Sequence, residues 1–169
     1  ITGVEFSFNS QGKIGDIEII SLLGYTYMNP ISLNANPEYI SMFSDTSRNL
    51  LKYRFKHLAK ADIEFNYKNI SIGFSSRYNS YMWNIDKVFE EDLDPTANEL
   101  YVLPGLKEYR LSHQEGSLVF DARIAYTLKK KLRIGLIMNN VFNTEYVSRP
   151  ADLQAPRTVI FQLQYKFNG

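Results

Sequence analysis

The sequence predicts an all-β fold: about seven strands of an antiparallel up-and-down transmembrane β-barrel segment, taken from a larger barrel. Two observations predict it. Stretches of ~9–12 residues alternate between apolar and polar side chains, which is the length and pattern of a tilted membrane strand. The connections between these stretches alternate between short turns and long loops, as in outer-membrane barrels, whereas soluble β-sandwiches follow no such rule.

The composition is compatible with this fold class. The chain has 169 residues, a formal net charge of +1 and no Cys, so we predict no nucleic-acid partner, no disulfide and no thiolate metal site. Mean hydropathy is −0.27, and no stretch reaches the ~18–20 apolar residues of a membrane helix. A membrane strand needs apolar residues only at alternate positions, so these values do not oppose a barrel.

The first two strands are predicted at residues 2–8 and 17–28. The polar run Asn9-Ser10-Gln11-Gly12-Lys13 between them is interpreted as their turn. Ile19 and Ile20 interrupt the alternation of the second strand, which suggests a β-bulge or leaves its facing open. Asn29-Pro30 then opens a long loop that extends to about residue 49.

The next strands are more regular. Residues 58–67 alternate cleanly, Lys68-Asn69 is predicted to be a two-residue turn, and residues 70–82 form the following strand. A second long loop extends from about residue 84 to about residue 115. Helical periodicity is not evident, and the Asn, Asp and Pro residues of the loops oppose it.

Three further strands complete the pattern. They are predicted at residues 117–128, 132–139 and 157–167, with a turn at Lys129-Lys130-Lys131 and a loop at about residues 143–156. Four of the seven strands lead toward the short turns, and we expect aromatic residues at their ends on the apolar face. This row is typical of an interfacial aromatic girdle and comprises Phe8, Tyr67, Tyr126, Tyr165 and Phe167.

Strand number leads to an expectation about the whole polypeptide. Bacterial single-chain barrels have an even number of strands, and an unpaired edge in lipid costs several kcal/mol for each exposed polar group. We therefore expect residues 1–169 to be the C-terminal portion of a larger outer-membrane barrel whose earlier strands are absent from this chain. An assembly of several such chains and a soluble β-sandwich are the alternatives.

One group of residues is a candidate for ligand contact. Aromatic rings and an arginine near a barrel mouth suit an anionic or sugar-like ligand, because rings stack and guanidinium groups form paired hydrogen bonds. Contact with a plug or with water is the simpler alternative. The candidates share the polar face of one predicted strand and are Arg77, Asn79, Tyr81 and Trp83.

The histidines and the acidic run give weak signals. His57 and His113 lie near long loops, with Asp62 or Asp86 as conceivable partners, but no metal-ligand spacing occurs and solvated loop residues are the simpler interpretation. The run Glu90-Glu91-Asp92-Leu93-Asp94 could bind Ca²⁺ or bridge to lipopolysaccharide; a solvated, mobile loop is the favoured interpretation. We predict no catalytic residue, no metal site and no cofactor.

Two further charged groups are predicted to be structural. Asp121 and Arg123 stand two positions apart on one polar face, which indicates an ion pair in the barrel lumen. Lys129-Lys130-Lys131 with Arg133 forms a basic turn, interpreted as solvated, with contact to anionic headgroups as the alternative.

The C-terminal residues resemble a known family. The segment Asn139-Asn140-Val141-Phe142-Asn143-Thr144-Glu145-Tyr146, then Arg149-Pro150, Ala155-Pro156-Arg157 and the aromatic last strand, is similar to the C-terminus of TonB-dependent outer-membrane receptors. Leu103-Pro104-Gly105 and Tyr53-Arg54-Phe55-Lys56-His57 also resemble segments of such receptors, although Phe55 stands where the family more often has Pro. The C-terminal resemblance is fairly specific, and the strand pattern of the whole chain is compatible with it.

The resemblance implies a function. The whole protein would be a barrel of about 22 strands with an N-terminal plug. It would take up a scarce nutrient such as a ferric siderophore, haem, cobalamin or a glycan, with energy from the TonB complex acting through an N-terminal box. The plug and the box would lie outside this chain. A passive channel or porin is the nearest alternative, and a surface protease or lipase is the alternative from another class.

The resemblance also implies partners and a location. The protein would lie in the bacterial outer membrane, in contact with lipid and lipopolysaccharide, and a surface lipoprotein as a cap is left open. The barrel-assembly machinery would read the last strand, whose signal residues would be Phe161, Leu163, Tyr165 and Phe167. Asn168-Gly169 after Phe167 departs from the usual terminal Phe.

Overall fold

The computed structural model describes residues 1–34, 36–93, 96 and 100–167, and seven antiparallel strands form one sheet in chain order. Each strand pairs only with its neighbours in sequence. This confirms the predicted all-β, up-and-down fold class. The strands are β1 (Thr2–Ile14), β2 (Ile17–Asn29), β3 (His57–Tyr67), β4 (Ile70–Asn79), β5 (Ser117–Leu128), β6 (Leu132–Asn139) and β7 (Thr158–Tyr165).

None of the described helices has the length and apolar character needed to cross a membrane.

The connections sort to the two ends of the sheet. Residues 15–16, 68–69 and 129–131 make short turns at one end, here called the turn end. Loop A (30–56), loop B (80–116) and loop C (140–157) extend from the other end, here called the loop end. Lys68, Lys129 and Lys130 have positive φ, as the predicted turns at these positions require.

The sheet has one apolar face and one polar face. A single row of directly paired residues crosses six strands on the apolar face: Ile19, Phe65, Ile72, Ile124, Leu136 and Phe161. The large apolar side chains of this face are widely exposed, as expected of a surface that contacts lipid rather than a protein core. The opposite face carries the charged side chains of the strands and their amide side chains other than Asn29.

Two predictions about the first hairpin were wrong. The run from Asn9 to Lys13 is not a turn, because β1 continues in register to Ile14, and Gln11 donates a hydrogen bond of 2.8 Å across the hairpin to Glu18. The turn is Gly15-Asp16, where Gly15 has φ +60. The polar residues that indicated a turn are the exposed positions of a long strand.

The suspected bulge at Ile19 and Ile20 is also absent. Both residues pair one to one with β1 and β3, so the alternation of faces continues through them. Ile20 lies on the polar face, opposite Gln11 and Glu64. An apolar residue on the polar face, rather than an inserted residue, accounts for the irregular pattern.

The aromatic row at the turn end is partly as predicted. Tyr67 and Tyr126 both pair with Ile70, next to the second short turn, and Tyr165 pairs with Leu132, next to the third. Phe8 was misplaced: it pairs with Leu23 in the middle of the first hairpin, because β1 is longer than the sequence pattern indicated.

The long loops contain helices that the sequence analysis did not predict. Helix α1 (Pro37–Ser41) begins with the Asn36 side chain accepting the Glu38 amide and with Pro at its first position, which is favourable at a helix start. Helix α2 (Leu106–Ser112) begins after Gly105, whose φ is +81. These helices are only five and seven residues long, too short to produce a periodic pattern.

Loops A and B fold together over a small core. Ile85 and Phe43 are almost completely buried, and Met82, Ile85 and Leu106 pack against one another with aromatic residues around them. Asn84, only 1% exposed, donates to the carbonyls of Asp45 and Leu50. Backbone hydrogen bonds from Ser44 to Ile85 and from Tyr53 to Asn84 tie the same loops together. These two loops therefore form one packed unit at the loop end.

Loop C is folded by the asparagines of the segment that resembles receptor C-termini. The Asn140 side chain accepts the Thr144 amide and donates to the carbonyls of Thr144 and Ala155. Asn143 accepts the Arg157 amide, and both asparagines have positive φ, a conformation that Asn tolerates well. The segment thus shapes the connection between β6 and β7.

Candidate functional site

The four predicted ligand residues lie where β4 reaches the loop end of the sheet and in the residues that follow it. Arg77 and Asn79 are in β4, but the strand ends at Asn79, three residues earlier than predicted. The Ser80 hydroxyl accepts the backbone amides of Lys56 and His57, so the chain turns into loop B at this point. Tyr81 and Trp83 consequently belong to loop B rather than to the strand.

Tyr81 and Trp83 each contact an arginine of another segment. Their rings meet edge to face with centroids 5.0 Å apart. The Arg48 guanidinium lies 3.9 Å from the centre of the Trp83 ring, and the Arg110 guanidinium lies 4.9 Å from the centre of the Tyr81 ring. Cation–ring contacts of this kind hold the two aromatic side chains in place and occupy one face of each ring.

Arg110 anchors helix α2 to the start of loop B. It is buried, pairs with Glu90, and donates to the Met82 carbonyl at 2.9 Å. Burial raises the pKa of Tyr81 beside it. Since Glu90 belongs to the acidic run, the interpretation of that run as a solvated, mobile loop was wrong at this residue.

Other members of the acidic run are also engaged. Glu91 pairs with Lys87, and the Asp92 side chain accepts the Leu100 amide at 2.9 Å. Asp94 lies outside the described residues. Among residues 1–34, 36–93, 96 and 100–167, no three His, Asp or Glu side chains come together as a metal site.

A second hydrogen-bonded group fixes Tyr53 at the same end. The Tyr53 hydroxyl and the Lys52 ammonium both donate to Asp86. Burial, reinforced by the bond to Asp86, raises the pKa of Tyr53 to about 12. Burial opposes ionisation of Asp86, but the hydrogen bonds from Lys52 and Tyr53 outweigh it and lower the pKa of that carboxyl.

The polar face of the sheet carries an ion network that differs from the predicted pair. Arg123 does not pair with Asp121. Its guanidinium crosses β4 above Gly73 and donates to Asp62 at 2.8 and 2.9 Å and to Glu64 at 3.0 and 3.1 Å, both on β3. Residues two positions apart on a strand lie ~7 Å apart along it, whereas the neighbouring strands offer carboxylates at a better distance.

Asp121 has other partners. Its carboxylate accepts the Asn140 amide at 2.8 Å and lies 3.6 Å from the Arg77 guanidinium. Arg77, Asp121 and Tyr146 line an open cavity of about 440 Å³ between the polar face and loop C. Arg77 thus pairs with Asp121, whereas Tyr81 and Trp83 contact each other and the guanidinium groups of Arg110 and Arg48. Among the contacts of the described residues, none joins the four predicted residues into one cluster.

The two histidines are structural in their contacts. His57 is the first residue of β3, not a loop residue as expected. Its ring contacts those of Tyr25 and Tyr27, and its Nδ1 is 2.8 Å from the Tyr25 hydroxyl. His113 follows α2 and stacks on Tyr109 with ring centroids 4.1 Å apart. Neither contacts Asp62 or Asp86, whose partners are Arg123, Lys52 and Tyr53.

A larger cavity lies where the three loops meet. It has a volume of about 650 Å³ and is lined by Tyr53, Arg54, Phe55, Phe89, Ser148, Arg149 and Pro150. A second, narrower space shares Phe55, Arg149 and Pro150 with it and extends toward helix α2 and the start of β5. The sequence analysis did not identify this site, because its residues come from three segments separated by up to about a hundred positions and no spacing rule joins them.

A comparison with solved structures shows what this fold is similar to. No protein-family model matches the sequence, and no curated protein matches it significantly. Among solved structures, one similar chain is the ferric-catecholate import receptor Fiu from E. coli K12 in its closed form, with a TM-score of 0.64 and 21% sequence identity. The match covers 98% of this chain and 21% of that receptor. The chain therefore has a fold similar to that of part of this β-barrel receptor, and it spans about a fifth of that receptor's length.

Proposed function

We propose that this chain is the C-terminal portion of an outer-membrane receptor that captures a scarce nutrient at the cell surface and imports it with energy from TonB. The observation that carries the proposal is the fold likeness to the ferric-catecholate import receptor along nearly the whole chain. The asymmetry of the sheet supports it, because three short turns stand at one end and three long loops at the other. The segment would supply barrel wall, ligand-contacting loops and an assembly signal.

The packed loops favour a receptor over a passive channel. Loops A and B are joined by buried side chains and backbone hydrogen bonds, and their aromatic and guanidinium groups are held in defined positions. Such preorganisation suits ligand capture, because less conformational entropy is lost on binding. Tyr81, Trp83, Arg77 and Asn79 stay our candidates for ligand contact at the loop end, with the rings of Tyr81 and Trp83 in contact with each other. A ferric siderophore, haem, cobalamin or a glycan is the proposed cargo.

The last strand supports a role in assembly. Phe161, Leu163, Tyr165 and Phe167 are all at least half exposed on the apolar side, and the rings of Tyr165 and Phe167 meet edge to face at 4.8 Å. An exposed aromatic terminus of this kind is available to the barrel-assembly machinery before the barrel closes. Outer-membrane lipid and lipopolysaccharide would cover the same surface afterwards.

The first experiment measures uptake. Cells that make the natural polypeptide carrying this chain are compared with a deletion strain, using radiolabelled nutrients of the four proposed kinds, with and without a functional TonB complex. Loss of uptake of one nutrient in both the deletion and the TonB-deficient strain is the expected result. Uptake that continues without TonB would point to a passive channel and overturn the energy-coupled proposal.

A second measurement tests whether the chain is part of a larger barrel. The intact mass of the natural polypeptide from outer membranes is expected to be several times the 19.6 kDa of these 169 residues. A mass near 19.6 kDa would contradict the proposed large receptor and favour an assembly of several chains.

A further inference from the structure

The turn between β5 and β6 and an apolar groove beside it form, we propose, a binding site for one phospholipid with a net negative head group. The lysines of the turn hold the head group, and the groove holds part of an acyl chain. The inference rests on the proposed membrane barrel, in which the turn end faces the periplasm, and it is independent of nutrient capture.

The turn carries positive charge that no acidic side chain balances. Within the described part of the chain, none of its lysines forms an ion pair. Residues 122–139 and 158–167, which make up most of the last three strands, contain no Asp or Glu. A backbone hydrogen bond of 2.8 Å from Lys166 to the Lys131 carbonyl brings a fourth lysine to the same place. The lysines of this cluster, here called the basic patch, are all exposed: Lys129, Lys130, Lys131 and Lys166.

The charge is concentrated at this one turn. Near the turn between β1 and β2, Lys13 is accompanied by two carboxylates, those of Asp16 and Glu18. The turn between β3 and β4 has Lys68, whose ammonium lies 4.9 Å from the centre of the Tyr67 ring. A negative head group is therefore attracted most strongly at the third turn, since clusters of about four to eight cations beside a membrane are typical of sites for anionic lipids.

The groove lies on the apolar face of the sheet. It has a volume of about 430 Å³, and no charged side chain is among its described lining residues. Ala125 and Gly135 pair directly at its centre; Ala125 points to the opposite face and Gly135 has no side chain, so the floor there is backbone with room above it for a linear chain. Its walls are two rows of directly paired residues: Ile124 with Leu136 and Tyr126 with Ile134.

The groove and the basic patch are close enough for one lipid to reach both. Lys129 and Lys131 are each three residues from a wall of the groove, at Tyr126 and Ile134 respectively, which is about 10 Å along an extended chain. Tyr165 pairs with Leu132 between the groove and the turn. Aromatic rings of membrane barrels lie at the level of the head groups, so this ring marks the boundary between the two parts of the site.

Charge and position favour one kind of lipid. A zwitterionic head group brings an ammonium that the lysines repel, so a head group with net negative charge is favoured. Lipopolysaccharide is also negative, but it occupies the outer leaflet, whereas the short turns of outer-membrane barrels face the periplasm. A soluble anion would gain nothing from the groove. The occupant that fits both parts is an anionic phospholipid of the inner leaflet.

Binding of two lipids and a soluble phosphate tests the inference. The natural polypeptide carrying this chain, purified in a neutral detergent, is titrated in native mass spectrometry with dioleoylphosphatidylglycerol, dioleoylphosphatidylcholine and glycerol 1-phosphate. We expect phosphatidylglycerol to bind at least about tenfold more tightly than the other two, because only it combines net negative charge with acyl chains. Equal binding of the two lipids, or equally tight binding of glycerol 1-phosphate, would overturn the inference.

Paired substitutions locate the head group. The double variant K129Q/K131Q is expected to weaken phosphatidylglycerol binding by about tenfold or more. The double variant K13Q/K68Q removes the same charge at the other two turns and is the matched control, with binding unchanged; Lys68 has positive φ, as Lys129 does. Equal losses in both variants would show a general charge effect and contradict the assignment, as would unchanged binding in K129Q/K131Q.

A second pair of variants locates the acyl chain. I134W places an indole at the wall of the groove and is expected to weaken phosphatidylglycerol binding by about fourfold or more, which corresponds to lost contact with about one CH₂ group. L23W places an indole on the apolar face of β2, away from the groove, and should leave binding unchanged. Unchanged binding in I134W, or equal losses in the two variants, would contradict the role of the groove.

The outcomes separate this inference from the proposed function. If uptake requires the protein and TonB but the two lipids bind equally, the receptor proposal stands and the lipid site fails. If phosphatidylglycerol binding depends on the basic patch but no nutrient uptake depends on the protein, the lipid site stands and the receptor proposal fails.

Discussion

Substituting Gly73 by Ala tests the ion network on the polar face. A Cβ at Gly73 would overlap the Cζ and Nε atoms of Arg123, so the guanidinium must leave its position over β4. That group makes five hydrogen bonds to Asp62, Glu64 and Ser75. Displacing it is therefore expected to weaken the contacts that connect β5 to β3.

The expected loss of stability depends on how far the ion-paired side chains are exposed to solvent. Hydrogen bonds to charged groups contribute ~1.5–3 kcal/mol when buried, and exposed ion pairs ~0–1 kcal/mol. Because the side chains of Arg123 and Asp62 are 30% and 37% exposed, we expect a loss of ~1–2 kcal/mol, offset by ~0.5–1 kcal/mol since Ala is favoured over Gly in a strand. G73A should thus lower the free energy of unfolding by roughly 0.5–1 kcal/mol.

A double-mutant cycle with R123A, followed by urea unfolding of the natural polypeptide in lipid vesicles, measures the coupling. Without the arginine, G73A should become neutral or stabilising by ~0.5 kcal/mol. G135A is the control, because its Cβ would meet Gln162 and the Ile124 carbonyl only at ordinary distances of 3.5–3.8 Å. If G73A destabilises equally with and without Arg123, the glycine does not act by making room for the guanidinium and the reasoning fails.

Two further predictions concern the loop end. N84A removes a buried side chain that makes four hydrogen bonds. Hydrogen exchange of the loop A amides should therefore be faster by an amount equivalent to about 2–4 kcal/mol, whereas the control variant N66A, near the turn end, should leave it unchanged. Unchanged exchange in N84A would contradict the role of Asn84 in linking loops A and B. The pKa of Tyr53 is raised to about 12 from its ordinary 10.0, so its contribution to stability is complete below pH 10 and declines as pH rises toward 12. The Y53F variant should lack that decline. A difference in phenolate absorbance between the unsubstituted protein and Y53F that already appears near pH 10 would refute the prediction.

The strands were largely predictable because each carries its own periodic signal. Residues 117–128 alternate without exception on the apolar face, and the two lysine-containing turns are bounded by clean alternation on both sides. The prediction failed where a run of polar residues could indicate either a turn or the exposed positions of a strand. The polar residues of β1 are exposed strand positions, and nothing local distinguishes them from a turn until the register with β2 is known.

The candidate site was less predictable because its contacts are distant in sequence. Arg123 pairs with carboxylates about sixty residues earlier, and Arg48 reaches Trp83 across two loops. Local spacing suggested Asp121 as the partner of Arg123, since adjacent pairs are all that a single sequence shows. The sequence shows which residues are charged, but which of them pair with one another depends on the strand register and on how the loops fold.

The strictly sequential strand order has an evolutionary consequence. Since every strand pairs only with its immediate neighbours in the chain, a two-strand hairpin is a unit that can be duplicated or deleted without reversing the direction or facing of the strands that remain. Loss of a single strand would invert both for everything downstream. Barrel circumference in such proteins can therefore change in steps of two strands, while the loops at one rim diversify independently.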